Sequence, residues 1–141
     1  MTVLVIIEHD RGALSPASLE ALAAARTIGS EVQALTLGAA ADGLAAELAQ
    51  HGAAVVHQVH ADVLSDYGPE AWGEAVAQAA RTLQPAAVLA CGTDRGNEVM
   101  AQAAARLDLP MVANCVEFTP GGSWSITRVR WGGSLLEQCT L

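Results

Sequence analysis

The chain has 141 residues, a formal net charge of −8 and a hydrophobic fraction of 52%. A chain of this size and apolar content is expected to form one compact domain with its own core, which excludes intrinsic disorder. The excess of acid disfavours binding to nucleic acids and anionic lipids, and because all seven basic residues are arginine, a P-loop with its lysine is excluded.

Five short apolar runs alternate with alanine-rich helical patterns along the chain. This alternation is typical of successive βα units, and it predicts an α/β fold with a mostly parallel sheet. The predicted strands are Val3–Ile7, Val32–Leu37, Ala54–Val59, Ala86–Ala90 and Met111–Val116.

Proline, glycine and capping residues mark the ends of the predicted helices. Ser15 is expected to be the N-cap of the first helix. The predicted helices run from Pro16 to the stop at Gly29, over Asp42–Gln50 before Gly52, over Pro69–Leu83, and from a cap at Thr93 or Asp94 to about Leu107.

The end of the chain has a different pattern. Val116–Phe118 and Trp124–Thr127 alternate apolar and polar residues around a Pro-Gly-Gly turn, which predicts a hairpin at the edge of the sheet. Too few residues follow Trp131 to form a further element. The apolar Leu135 and Leu136 are therefore expected to be covered by a partner chain or by a segment that this sequence lacks.

The three cysteines, Cys91, Cys115 and Cys139, form no CxxC motif. The sequence shows neither a signal peptide nor an apolar run long enough to cross a membrane. We therefore expect free thiols, a reducing cytoplasmic location and no insertion into a membrane.

The first predicted strand delivers Glu8, His9 and Asp10 to its carboxyl end, where open α/β sheets bind ligands. The segment after them lacks the glycines of a phosphate cradle. Glu8 and Asp10 are expected to accept hydrogen bonds from loop amides or to pair with an arginine such as Arg11. A less favoured alternative is a hydrolase with Cys91 as nucleophile and His9 as base, because the fourth strand should lie beside the first.

The turn Gly92–Gly96 before the fourth helix is a second candidate site. Amides at a helix N-terminus attract anions, but Asp94 competes for them as a cap and repels a phosphate. The pocket candidates at the two strand ends are Glu8, Gly92, Thr93, Gly96 and Asn97. No metal site is predicted, because His57 and His60 fall on opposite faces of a strand and no third ligand is near.

Trp124 and Trp131 lie seven residues apart, so one is predicted to pack in the core and the other to face outward. Arginine and tryptophan are enriched at protein interfaces, and we therefore predict a partner interface that contains Arg128, Arg130 and Trp131. The alternative is that a helix of the same domain covers both tryptophans.

The order of three segments resembles the N-terminal domain of the electron transfer flavoprotein alpha subunit. They read VLVIIEHDRGALSPASLEALAAAR, GTDRGNEVMAQAAARLDLPMVANC and TRVRWGGSLLEQ. The resemblance covers nearly the whole chain. It implies a three-layer Rossmann-like fold of the adenine nucleotide alpha hydrolase-like type, with a mostly parallel sheet and a C-terminal antiparallel edge hairpin.

The same resemblance implies a heterodimer with a beta subunit, in which one FAD carries electrons from dehydrogenases to an acceptor. In that family the C-terminal domain of the alpha subunit makes most flavin contacts, and AMP lies in the beta subunit. The present chain is therefore expected to be a scaffold and subunit interface, not an enzyme, and to bind no cofactor tightly by itself.

Several positions depart from the family pattern. Asn97 and Ala101-Gln102 stand where a Lys and a Pro-Arg pair are common, and Trp131-Gly132-Gly133-Ser134 replaces a usual Tyr-Ala-Gly-Asn. Residues 1–131 are interpreted as the Rossmann-like domain and 132–141 as the start of a linker toward an FAD-binding domain that this sequence lacks. Whether the chain is an excised domain, a short subunit or a diverged relative stays open.

A second functional hypothesis is a stand-alone adenine-nucleotide-binding module similar to universal stress proteins. That family shares the general architecture of alternating strands and helices. The hypothesis is weakened because the chain has no glycine-rich loop near its end.

Overall fold

A computed structural model describes residues 1–29 and 31–141. Its strands form a four-stranded parallel sheet, a short hairpin of two strands with two residues each, and a three-stranded antiparallel sheet near the C-terminus. The strands are β1 (Thr2–Ile6), β2 (His9–Asp10), β3 (Ala13–Leu14), β4 (Glu31–Leu37), β5 (Val55–Val59), β6 (Ala87–Leu89), β7 (Cys115–Thr119), β8 (Ser125–Arg130) and β9 (Leu135–Thr140).

The helices agree closely with the predicted ones, apart from the second. The α-helices are α1 (Pro16–Ile28), α2 (Ala45–Gln50), α3 (Pro69–Leu83) and α4 (Asp94–Leu107). The predicted helix over Asp42–Gln50 is shorter, since its first residues belong to a 3₁₀ segment, Ala39–Leu44. Ser15 precedes α1 as predicted, but its side chain makes no capping hydrogen bond.

The parallel sheet has the order β5-β4-β1-β6, which places β1 in its interior. The chain leaves β1 toward β4 on one side and returns to β6 on the other. A crevice where the strand order reverses in this way is the usual ligand position in open α/β sheets. The segments after β1 and β6, which hold the pocket candidates, therefore meet at one edge of the sheet.

Helices cover both faces of the sheet, so the three-layer α/β prediction is confirmed. On one face, Val3 and Val5 pack with residues of α1 and α2. On the other, Leu4 and Ile6 pack with residues of α3 and α4. Residues of β1 alternate between the two cores, because successive side chains of a strand point to opposite faces.

The prediction of a fifth parallel strand over Met111–Val116 is wrong. Residues 111–113 form no strand, and β7 begins only at Cys115. Asn114 adopts a left-handed backbone conformation with φ of 59°. This turn redirects the chain, so that β7 pairs antiparallel with β8 and extends no parallel sheet.

The predicted hairpin exists, but its expected place at the edge of the central sheet is wrong, as is the expectation that no element follows Trp131. The hairpin belongs to a separate sheet of order β7-β8-β9. Trp131, Gly132 and Gly133 all have positive φ, and they reverse the chain so that β9 pairs with β8 along its whole length. The boundary between a domain of residues 1–131 and a linker of residues 132–141 stays a prediction.

Candidate functional site

Glu8 lies in the crevice between β1 and β6, where hydrogen bonds hold it in place. Its backbone N–H donates to Ser18 Oγ at 2.8 Å, and the Ser18 hydroxyl is 3.1 Å from the Glu8 carbonyl oxygen. The Thr93 hydroxyl donates to Glu8 Oε1 at 2.5 Å. The Glu8 carboxylate therefore ties the end of β1 to the first turn of α4.

Thr93, one of the two predicted caps, is the N-cap of α4, whereas Asp94 is the first residue of the helix and not its cap. While it donates to Glu8, its Oγ1 accepts a hydrogen bond from Gly96 N at 3.0 Å. A capping side chain of this kind satisfies an amide that would otherwise be available to an anion. The amide of Gly96 is thus already occupied by the protein itself.

Gly96 is required for close packing. A Cβ atom added to Gly96 would overlap the carbonyl oxygen of Cys91, because the first turn of α4 lies directly against the end of β6. Gly92, by contrast, is exposed and has open space beside it. Asn97 is half-buried, and its backbone N–H donates to the Thr93 carbonyl at 2.9 Å.

The space left in the crevice is very small. A cavity of about 10 Å³ lies beneath Glu8 and Arg95, among Trp72, Cys91 and Val99. This volume is close to the minimum that holds one water molecule, whereas pockets for drug-sized ligands have several hundred Å³. The structure therefore brings together Glu8, Thr93 and Gly96, but it fills the space between them with its own side chains.

The geometry does not support the Cys91–His9 pair. The Cys91 thiol is buried and lies 3.6 Å from Ser18 Oγ, whereas both ring nitrogens of His9 contact backbone groups. Burial raises the pKa of the Cys91 thiol, and the nearby Glu8 carboxylate adds to that rise. Catalytic cysteines need a lowered pKa and access to substrate, so Cys91 acts as a packed core residue.

Charged side chains connect the segments at the carboxyl edge of the sheet, and Asp10 pairs with an arginine as predicted, although with Arg95 and not with Arg11. Arg11 pairs with Asp66 at 3.0 Å, whereas Asp10 lies 3.8 Å from Arg95. Arg95 also lies over the Tyr67 ring, 4.5 Å from its centroid. These groups are exposed, and exposed ion pairs contribute little stability, at most about 1 kcal/mol each.

Tyr67 shows how the sequence alone missed contributors to this edge. Its hydroxyl donates to Glu98 at 2.7 Å, and its ring packs edge-on against Trp72. Burial, followed by the hydrogen bond to Glu98, raises the pKa of Tyr67, so that the phenol stays protonated and remains a donor. Ser18, Tyr67 and Trp72 were not predicted, because their contacts with Glu8, Glu98 and His9 join different elements of the fold.

The histidines outside the crevice form polar contacts. His57 Nε2 lies 2.7 Å from Gln33 Oε1, and His60 Nε2 lies 2.8 Å from Asp42 Oδ1. Within residues 1–29 and 31–141, no group of three or more His, Cys, Asp or Glu side chains could hold a metal ion.

The two tryptophans of the C-terminal sheet have the predicted opposite environments. Trp124 is half-buried and packs with Phe118 against the core beneath α1, whereas 77% of Trp131 is exposed. The neighbouring Arg130 pairs with Glu137 at 3.2 Å. In the described part of the chain, the buried Nε of Arg128 has no hydrogen-bond partner.

Exposed apolar side chains are concentrated in the C-terminal sheet. Leu136 is 70% exposed and Val116 is 54% exposed, and Leu135 is half-exposed. We call this set, together with Trp131, the C-terminal apolar surface; its members are Val116, Trp131, Leu135 and Leu136. Leu135 and Leu136 are consecutive residues of β9 and therefore lie on opposite faces of that strand, so both faces of the C-terminal sheet expose apolar side chains. Apolar side chains left exposed in this number on one small element are typical of interaction sites.

None of the helices in the described ranges 1–29 and 31–141 is long and apolar enough to cross a membrane.

Comparison with known proteins gives a family match over almost the whole chain. Residues 3–140 match the model of the electron transfer flavoprotein domain. Protein FixB of Azorhizobium caulinodans is 33% identical over 99% of this chain. The electron transfer flavoprotein alpha subunits of Mycobacterium tuberculosis and Syntrophomonas wolfei are 33% and 27% identical over 85% and 95% of the chain. This chain spans only about 40% of the length of these relatives, from 38% to 43%.

Proposed function

The chain belongs to the electron transfer flavoprotein family, and from that premise we propose that it is the N-terminal scaffold and subunit-interface domain of an alpha subunit. Its partners would be a beta subunit and an FAD-binding C-terminal domain, and the assembled protein would carry electrons from dehydrogenases to an acceptor. The chain itself would have no catalytic activity. The cytoplasmic location stays a prediction.

The observation that carries this proposal is the contrast between the two candidate surfaces. In the crevice at the carboxyl edge, Thr93 and Glu8 are hydrogen-bonded to each other, and the cavity that remains there has a volume of only about 10 Å³. The C-terminal apolar surface is open, with Trp131 77% exposed. A domain with a filled crevice and an exposed apolar surface is better suited to bind protein than nucleotide.

The residues described here do not fit a dinucleotide such as FAD. The amide of Gly96 already donates to Thr93 Oγ1 at 3.0 Å, so it is not free to bind a phosphate. We therefore propose that FAD is held by other parts of the assembled protein. Arg128, Arg130 and Trp131 would contact the partner and not the flavin.

The alternative of a stand-alone adenine-nucleotide module has less support. The reported relatives carry the names FixB and electron transfer flavoprotein alpha subunit. The crevice in which such a module would hold its nucleotide is the one that the side chains of this protein fill. We therefore do not favour it.

The proposal is tested by co-expressing the chain with the beta subunit and the FAD-binding domain of the same organism. We expect one complex with flavin absorption bands, and a weaker complex when Leu136 is replaced by Ser. Val63→Ser is a matched control, because Val63 is also 70% exposed but belongs to the 3₁₀ segment Asp62–Leu64 after β5 and not to the C-terminal sheet. Equal weakening by both changes, or flavin bound by this chain alone, would contradict the proposal.

A further inference from the structure

Arg128 of β8 is half-buried, and within residues 1–29 and 31–141 no acidic side chain forms an ion pair with it. Its Nε is buried and has no hydrogen-bond partner in that part of the chain. Arg26 also lacks an ion pair among the described residues, but it is exposed on α1, where water solvates its charge. The other arginines form ion pairs, and they are Arg11, Arg81, Arg95, Arg106 and Arg130.

The two residues beside Arg128 in the sheet do not serve as its counter-ion. Cys115 of β7 and Glu137 of β9 lie opposite it in the strand register. Glu137 pairs instead with Arg130, with 3.2 Å between Oε2 and Nη1. Burial raises the pKa of the Cys115 thiol, which donates to the Val112 carbonyl at 3.2 Å and stays neutral. The positive charge of Arg128 is therefore not compensated by its neighbours in the sheet.

Arg128 shares one face of the C-terminal sheet with apolar side chains. Residues directly opposite each other in an antiparallel pair, and residues two apart in one strand, lie on the same face. We call this face the Arg128 face; its members on β8 and β9 are Ile126, Arg128, Arg130, Leu135 and Glu137. Ile126 is buried, whereas Leu135 is half-exposed. The face thus runs from the core of the domain to an open apolar edge, with Arg128 between them.

An enclosed guanidinium without a counter-ion is unfavourable in an assembled protein. Buried charges are nearly always paired, and buried N–H groups nearly always have an acceptor. Arginine suits ion pairs at protein interfaces, because its planar fork can bind both oxygens of a carboxylate. Since Arg128 is only half-buried, a carboxylate can approach its guanidinium from outside. The half-exposed Leu135 on the same face favours a carboxylate on a protein surface over a free anion, because a protein also covers apolar area.

We propose that Arg128 binds an aspartate or glutamate side chain of the beta subunit, so that the Arg128 face meets that subunit. This inference rests on the proposed function, which makes the chain an interface domain, and it adds the chemistry of the contact. The chain carries a net charge of −8, so an acidic partner is not attracted from a distance. The ion pair therefore acts after the two proteins have met, and its loss should appear mainly as faster dissociation.

The test is the binding of the 141-residue chain to the purified beta subunit of the same organism, measured by surface plasmon resonance. We expect Arg128→Met to raise the dissociation constant about thirtyfold or more, because it leaves the partner carboxylate covered and unpaired. Arg26→Met is the matched control, since Arg26 is exposed on α1, and it should change binding by no more than about twofold. Equal binding by Arg128→Met and the unaltered chain would overturn the proposal.

Urea unfolding of the chain alone separates a role of Arg128 in binding from a role in folding. Methionine keeps an apolar stem and removes the unpaired Nε, so Arg128→Met should be at least as stable as the unaltered chain. A less stable or unfolded variant would show that Arg128 serves the fold, contrary to the proposal. Arg128→Lys keeps the charge but not the fork, so it should recover part of the binding, and no recovery would argue against a contact between charges.

Double-mutant cycles identify the acceptor, with each Asp and Glu of the beta subunit replaced in turn by Asn or Gln. One replacement should weaken binding to the unaltered chain but have little effect on binding to Arg128→Met. Coupling to no residue of the beta subunit, or to a residue of the FAD-binding domain or of a second copy of this chain instead, would refute the assignment. If the unaltered chain does not bind the beta subunit, the proposed function fails together with this inference, whereas binding that is insensitive to Arg128 refutes this inference alone.

Discussion

The parallel sheet and the C-terminal sheet bury their strands to very different extents. In β1, Val3, Leu4 and Val5 are fully buried between two layers of helices. In β9, every residue except Cys139 is exposed, although its hydrogen-bond ladder with β8 is complete. Backbone pairing therefore suffices to form a strand, but apolar burial, the main source of stability, is concentrated in the parallel sheet.

The two sheets therefore depend on different surfaces for the burial of their apolar side chains. The parallel sheet is covered on both faces by helices of its own chain and is expected to fold without help. The C-terminal sheet is attached to it through Phe118 and Trp124, which pack against the first core. Its exposed apolar side chains, Val116, Trp131, Leu135 and Leu136, gain burial only if another surface covers them.

The largest effect is expected from Leu4→Ala. Leu4 is fully buried in the second core, and deletion of such a side chain costs about 3–5 kcal/mol of unfolding free energy. Leu136→Ala, which removes the same atoms from the exposed strand β9, should change stability by no more than about 0.5 kcal/mol. Urea unfolding measures both. Similar losses in the two variants would show that the C-terminal sheet is buried in solution, contrary to the difference described above.

We expect Gly96→Ala to lower the free energy of unfolding by about 3 kcal/mol, because the new methyl group would force α4 away from the Cys91 carbonyl. Gly92→Ala is the control, since nothing lies within 4 Å of the methyl group it would add. Thermal and urea unfolding should separate the two variants clearly. If Gly96→Ala were as stable as Gly92→Ala, the close packing of α4 on β6 would be disproved.

Trp124→Ala should lower the free energy of unfolding by about 2 kcal/mol. This is less than truncation of a core leucine costs, because the Trp124 indole is only half-buried. It should also increase amide exchange in β8 relative to β1, since Trp124 attaches the C-terminal sheet to the core. Trp131→Ala should leave both properties unchanged in the isolated chain and weaken only binding to a partner. Exchange in β1 that rises as much as in β8 would mean that the two sheets unfold as one unit.

Thr93→Ala should have the smallest effect of the four. It removes the cap of α4 and the hydrogen bond to Glu8, and we expect the free energy of unfolding to fall by about 1 kcal/mol. Thr93→Ser, which keeps the hydroxyl group, should restore most of that stability. Chemical denaturation of the two variants gives the answer. A serine variant as unstable as the alanine variant would assign the effect to the lost methyl group instead.

Much of the parallel α/β region could be predicted from the sequence, because its signals are local. The run of aliphatic residues after Thr2, Pro16 at the start of α1 and Thr93 before α4 each indicate an element without knowledge of the rest of the chain. Errors occurred where the deciding contact was distant. The apolar segment Met111–Val116 has the composition of a strand, but the turn at Asn114 directs it into a different sheet.

The candidate site could be predicted less well. Glu8, Thr93 and Gly96 were found because carboxyl ends of adjacent parallel strands meet at one edge of a sheet. No local pattern indicates that Ser18 would bond to Glu8 or that Trp72 would line the cavity, because these residues come from helices on opposite faces of the sheet.

The sequence by itself determined the alternation of strands and helices, the mostly parallel sheet and the resemblance to the electron transfer flavoprotein family, since these depend on periodicity, capping residues and local motifs. Only the tertiary structure decided that the crevice is filled and that Glu8 is held by Thr93, 85 residues further along the chain. These properties depend on contacts between residues far apart in the chain, and no local pattern encodes the distance between such residues.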